Sequence, residues 1–222
     1  MAKSSAARRL PDESEPSVVL KEPAFGGGPP SEPPVRHNTP VLTNATLGVI
    51  MMLGAEAMFF AGLIGAYLVF RLAAEHWPPP FQPRLPIGVT GVNTLILLLS
   101  AFTMRGSVIG IKADDLRRAL RLLASTAALG TVFLLVQGSE WIKLIHFGLT
   151  VSSSVYGGLF YTLIGAHAVH VLGALIWLAA VFVQARRGRY SSRDYNGLQN
   201  CCMYWFFVVG LWPALYGLVY LF

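Results

Sequence analysis

From residue 43 onward the chain consists of apolar runs too long for a small water-soluble core, and run length decides what it can fold into. The runs cover about 43–72, 87–109, 117–147, 153–185 and 197–222. Each reaches or exceeds the ~20 residues with which an α-helix crosses a ~30 Å hydrocarbon layer. Inside lipid every backbone N–H and C=O must be bonded within the protein, so only helices or closed barrels span it. Long runs without two-residue alternation exclude a barrel. The expected fold is therefore all-α: a polytopic bundle of five transmembrane helices over residues 41–222. The longer runs must tilt or reach into the headgroups.

Composition agrees. Of 222 residues, 54% are hydrophobic and 13% charged, too little polar surface to solvate a globular domain of this size. The net charge of +6 is not a nucleic-acid stripe, because the basic residues lie between the apolar runs. Residues 1–40 are rich in Pro, Ser and Glu and contain Gly26-Gly27-Gly28-Pro29-Pro30 and Pro33-Pro34. Such a segment buries no apolar surface, so a disordered tail is expected. It has no apolar core of a secretory signal and is expected to stay with the protein. Lys3, Arg8, Arg9, Lys21 and Arg36 lie in this tail. Arg105, Lys112, Arg117, Arg118 and Arg121 flank the second connection, and Arg186, Arg187, Arg189 and Arg193 the fourth. Five spans put these fourteen cations on one side and only Arg71, Arg84 and Lys143 on the other. The positive-inside rule then places the N-terminus in the cytoplasm and Phe222 outside. Trp77, Trp141 and Tyr220 fall at outer span ends, where amphipathic rings anchor at the interface.

Glu56 lies about twelve residues into the first span, ~18 Å along the helix and near the bilayer middle. A bare carboxylate is costly there, so it must be protonated, paired or both. It is either a proton-exchanging or partner-sensing group, or a neutral acid that locks helices together. His167 and His170 lie at i and i+3 on the fourth span. One helix cannot offer both axial ligands of one haem at this spacing, and no Cys or carboxylate nearby completes a zinc set. Hydrogen bonding to Glu56 or to a lipid headgroup is the expected use of these histidines. The rows Ala57–Ala61–Gly65 and Ala166–His170–Ala174, with Gly158, Gly165 and Gly173, have the small-residue spacing of close helix contacts. Asn93 and Glu140 stand near span ends, where helix-end hydrogen bonding is their ordinary use. Adjacent Cys201 and Cys202 read as small buried hydrophobes. No nucleotide loop, nucleophile–base pair, row of acids or broken-helix inverted repeat is present, so neither a catalytic centre nor a metal site is expected in this chain.

Several motifs, one or more per helix and in order, resemble subunit III of the haem-copper cytochrome c and quinol oxidases. They are Gly54-Ala55-Glu56-Ala57-Met58-Phe59-Phe60, His76-Trp77-Pro78-Pro79, Asn93-Thr94-Leu95 and Gln137-Gly138-Ser139-Glu140-Trp141. Val155-Tyr156-Gly157, Gly165-Ala166-His167-Ala168-Val169-His170-Val171, and Tyr204-Trp205 with Trp212 follow. The resemblance covers residues 43–222. It implies a subunit without redox cofactors, packed on the haem- and copper-bearing subunit I in a bacterial cytoplasmic membrane. Such a subunit binds phospholipid and supports proton uptake for oxygen reduction. Glu56 matches the family's buried glutamate, and His167 with His170 its paired histidines. Five spans resemble the shorter bacterial, quinol-oxidase-type form. The chain departs from the family at Gln199, Phe206 and Val209, where many members carry Glu, His and Asp, and Pro213 enters the last span. An accessory subunit of a nitric oxide reductase is the close alternative. A haem b or quinol-binding anchor using His167 and His170, and a small transporter gated by Glu56, are the more distant ones.

Overall fold

The computed structural model describes residues 43–77, 79 and 86–221. The tail and its five cations, Pro78, Arg84 and Phe222 lie outside the described residues. The five expected spans are five helices: α1 Asn44–Ala73, α2 Ile87–Lys112, α3 Leu116–His146, α4 Val155–Arg186 and α5 Asn196–Tyr216. A π-helical turn, Gly217–Leu221, extends α5. All five are long and apolar enough to cross a membrane. At 26 to 32 residues they exceed the hydrocarbon thickness by several residues, so their ends stand among headgroups.

The helix ends follow from side-chain chemistry. Thr43, Asp115 and Ser154 each accept a hydrogen bond from the backbone N–H three residues on, at 3.2, 2.9 and 3.1 Å. These bonds occupy amide donors that the first turn leaves unpaired. At the other ends Gly148 (φ +92°) and Gly188 (φ +70°) turn the chain in the left-handed region that a side chain disfavours. Between α2 and α3, Asp114 takes that conformation itself (φ +55°), and Asp115 then caps α3. Asp114 and Asp115 thus form the turn, and Arg117, Arg118 and Arg121 lie on the helix that follows. The same end of the bundle joins its two connections: the Ser192 N–H donates to Asp114 Oδ1 at 3.3 Å, and Lys112 Nζ stands 5.2 Å from the Tyr195 ring centre.

Helices α2, α3, α4 and α5 form a closed ring of neighbours, and α1 lies outside it against α4 and α5. Helices α2 and α3 approach closely at Gly110, where a Cβ would stand 3.1 Å from the Ala119 backbone nitrogen. At Gly130 a Cβ would meet Trp205 Cη2 at 2.6 Å, so the glycine makes the seat for that indole. Two indoles stitch α5 to α2. Trp205 Nε1 donates to Ser100 Oγ at 3.1 Å and Trp212 Nε1 to Thr94 Oγ1 at 2.8 Å. Each hydroxyl in turn donates to a carbonyl of its own helix, so no polar atom of these four side chains is left unpaired in lipid.

Helix α1 is held by little. Of its thirty residues only Thr46, Phe60 and Tyr67 are buried. The Ala57–Ala61 pair, expected at a helix contact, faces out of the bundle, and a Cβ built on Gly65 meets nothing within 4 Å. At its far end Arg71 Nη1 donates to the Leu218 carbonyl, in the π-helical turn, and to the Tyr67 hydroxyl, both at 3.5 Å.

Candidate functional site

An ionisable pair near the middle of both helices lies where α1 meets α4. Glu56 projects from α1 between Leu53 and Phe60, and His170 comes from the middle of α4. Glu56 Oε2 and His170 Nε2 are 2.8 Å apart. The other imidazole nitrogen, Nδ1, is 2.7 Å from the Ala166 carbonyl oxygen, one turn earlier in α4. A carbonyl only accepts, so Nδ1 carries a proton and donates it. Nε2 and the carboxyl group therefore share one further proton. Either the neutral acid donates to Nε2, or the imidazolium donates to the carboxylate. Both forms carry no net charge, which makes the pair tolerable at this depth.

Aromatic rings hold the pair in place. Phe60 meets the His170 ring edge-on at 4.9 Å between centroids, and Phe59 stacks on it at 6.0 Å. The pair is not sealed: the Glu56 side chain is 26% exposed and that of His170 18%. Its open side adjoins Met52 and Phe59, both exposed on α1.

His167, three residues before His170, enters a different compartment. It is 1% exposed and lies at the junction of the ring of helices. Trp212 stacks on it at 5.0 Å, with Phe60 and Phe133 edge-on at 6.4 and 6.3 Å. Neither ring nitrogen has a hydrogen-bond partner among the described residues. The two histidines share Phe60 as a common neighbour but not a common ligand.

The other polar candidates stand apart from this pair. Asn93 does not serve a helix end: its Nδ2 donates across to the Phe133 carbonyl of α3 at 3.0 Å, while Oδ1 stays buried without a partner among the described residues. Glu140 pairs with Lys143 Nζ at 2.7 Å near the end of α3, its carboxylate buried and the lysine reaching out to water. One turn before it, Gln137 Nε2 donates to the Tyr220 hydroxyl at 3.1 Å. Tyr220 is thus buried in the bundle instead of standing free at the interface. Cys201 and Cys202 are buried free thiols.

Sequence reading passed over one feature of α5. Thr46 Oγ1 donates to Asn200 Oδ1 at 3.0 Å, linking the start of α1 to the start of α5 across 154 residues of sequence. Asn200 and Tyr204 are the inward polar groups of α5 at this end. Gln199 and Phe206, two of the three departures noted above, face outward, and Val209 is buried as an apolar residue. An i, i+4 pair of polar residues on an otherwise apolar span was the available signal.

Both nitrogens of His170 are engaged, and His167 is enclosed by three aromatic rings. Among the described residues no three of His, Cys, Asp and Glu converge.

Five apolar helices around such a pair define a multi-pass membrane protein of the α-helical class. The chain matches the family model described as cytochrome c oxidase subunit III over residues 32–222. It is 34% identical over 193 residues to cytochrome c oxidase subunit 3 of Synechocystis sp., covering 86% of this chain and 81% of that one. It is 35% identical over 176 residues to the protein of the same name from Thermostichus vulcanus, covering 79% and 86%. Identity to the Homo sapiens cytochrome c oxidase subunit 3 is 29% over 190 residues, covering 83% and 72%. The chain belongs to the cytochrome c oxidase subunit III family. It is a multi-pass membrane subunit of a respiratory terminal oxidase, with other oxidase subunits as its partners.

Proposed function

We propose that this subunit packs on the haem- and copper-bearing subunit I, holds phospholipid at its surface and supports proton uptake through the Glu56–His170 pair. The carrying observation is that pair: two titratable side chains 2.8 Å apart near the middle of α1 and α4, partly exposed on one side. A group serving only as a lock would be favoured in a closed site, because partly exposed polar atoms in lipid are costly. Nothing in the reading requires this chain to bind a redox cofactor; haem and copper belong to the partners.

Lipid binding is supported by an apolar groove of about 360 Å³ at the end of α1, lined by Phe70, Ala73, Ala74, Trp77, Val155 and Tyr156. Aromatic rings and Arg71 at that level suit an acyl chain below a headgroup. The distribution of Lys and Arg favours a cytoplasmic start of α1 in a bacterial inner membrane and an outward-facing end of α5.

Affinity purification of the tagged chain in mild detergent, with a visible spectrum and mass spectrometry of what accompanies it, tests the assignment. Haem arriving with a large multi-span subunit is the expected result, and the identity of that subunit names the partner on which this chain packs. A colourless, solitary chain sinks the packing on subunit I.

A further inference from the structure

Arg105 is a cation inside a membrane span. It lies on α2, seven residues before the helix ends at Lys112, and it is exposed. Among the described residues it makes no hydrogen bond or ion pair. Packing fixes what stands beside it. Helices α2 and α5 run antiparallel in one register: Thr94 bonds Trp212, Ser100 bonds Trp205, and Lys112 Nζ stands 5.2 Å from the Tyr195 ring centre. Arg105, between Ser100 and Lys112, is therefore level with the stretch of α5 between Tyr195 and Trp205, where Gln199 is exposed. Neither α2 nor α5 contains an Asp or Glu. The acids at this end lie in the connections. Asp114 accepts from the Ser192 N–H, Asp115 caps α3, and Asp194 precedes Tyr195 at the level of Lys112.

Depth adds a second constraint. With 26 residues α2 is ~39 Å long, so each end stands ~4–5 Å beyond a ~30 Å hydrocarbon layer. Lys112 is then on the water side of the layer's edge, and Arg105, ~10.5 Å back along the helix, lies ~6 Å inside it. Seven residues make almost two turns, so both cations stand on one side of α2. An uncompensated guanidinium in hydrocarbon is costly, and its long stem lets it reach back toward the edge. Arg105 from within and Lys112 from without thus converge on the level of the lipid phosphates.

We propose that the seam of α2 and α5 holds one anionic phospholipid of the leaflet at this end. Its phosphate oxygens accept from the Arg105 guanidinium and from Lys112, with the Gln199 amide as a further donor. The acyl chains run toward the bilayer centre over the exposed rings of Phe102 and Phe206. The planar fork of an arginine suits two oxygens of one phosphate. Two cations against one phosphodiester favour a headgroup of net negative charge over a zwitterion. A carboxylate of a neighbouring subunit meets one cation at one depth, whereas the phosphate level is reached by both. The seam lies at the opposite membrane surface from the groove at the end of α1, and the proposal rests on the lipid-holding part of the function proposed above.

Native mass spectrometry of the intact oxidase, delipidated and then titrated with phosphatidylglycerol, tests this. Arg105→Gln should weaken the binding of one phosphatidylglycerol several-fold, Lys112→Gln should weaken the same lipid, and Arg105→Lys should do so less. Arg117→Gln, which removes an exposed cation of α3 at the same end, should leave binding unchanged. Trp77→Ala, in the groove of α1, should lose a different lipid and leave the one that depends on Arg105 in place. Wild-type binding in Arg105→Gln overturns the site while the lipid lost in Trp77→Ala keeps the lipid-holding reading standing. Equal weakening in Arg117→Gln overturns it by showing diffuse attraction to a basic surface. Loss of a neighbouring subunit from the Arg105→Gln complex at unchanged lipid affinity overturns it by showing a protein carboxylate as the anion. If the wild-type complex binds no phosphatidylglycerol, the lipid-holding reading itself falls.

Discussion

Glu56 can be dissected because its hydrogen bond does not need a carboxyl group. In Glu56→Gln the side-chain amide N–H donates to the unprotonated Nε2 of His170, whose tautomer is set by the Ala166 carbonyl. The expected outcome is a subunit that assembles normally and melts within a degree or two of wild type but no longer reacts with a hydrophobic carbodiimide. Glu56→Ala leaves Nε2 without its partner and should cost about 1–3 kcal/mol, read as a lower melting temperature of the purified complex. If Gln and Ala variants melt alike, the bond contributes nothing to packing. The indoles follow the same reasoning. Trp212→Phe keeps a ring against His167 but removes the donor to Thr94, with an expected loss of about 1 kcal/mol on the same assay.

At the scale of elements, glycines separate helix contacts from bare helix surface. Gly130→Ala places a Cβ 2.6 Å from Trp205 Cη2, so the indole must shift and its bond to Ser100 is strained or lost. About 1–3 kcal/mol of destabilisation is expected. Gly54→Ala, on α1 where a Cβ meets nothing within 4 Å, should be neutral or slightly stabilising for the isolated subunit. Equal melting temperatures for the two variants would contradict the packing described for α5. The contrast also explains why small-residue spacing misled for α1. A row such as Ala57–Ala61–Gly65 reports that a helix can be approached closely, but not which neighbour approaches it. In this chain the neighbours α4 and α5 take a different side of α1, through Thr46, Phe60 and Tyr67.

For the whole molecule the consequence is unequal stability. The α2–α5 ring is tied by buried hydrogen bonds and close helix contacts, whereas α1 leans on it with three buried residues. Local opening should therefore begin at α1. In the isolated subunit in detergent, hydrogen exchange followed by mass spectrometry should show α1 amides exchanging ahead of those in α2–α5. Assembly into the oxidase should protect them. Uniform protection of all five helices in the isolated subunit would mean that α1 is held by more than its buried contacts indicate.

Reading along the chain located the five helices to within a few residues, because length and apolarity in lipid leave the backbone one local solution and the caps are written beside it. Thr43, Asp115, Ser154, Gly148 and Gly188 act on amides and carbonyls within a few residues of themselves. Glu56 stood out for a similar reason: one ionisable residue in a long apolar run is conspicuous without knowledge of its surroundings. Which partner it meets was not legible there. His167 and His170 are three residues apart on one helix and look equivalent in sequence. The rotation of α4 against α1 and the ring decides that one meets Glu56 and the other an aromatic cage. The contacts joining Thr46 to Asn200, Ser100 to Trp205 and Thr94 to Trp212 span more than a hundred residues each. Such pairs depend on which helices become neighbours and on their rotation about their axes. That choice is made by side-chain packing summed over the whole bundle, and no local pattern encodes it.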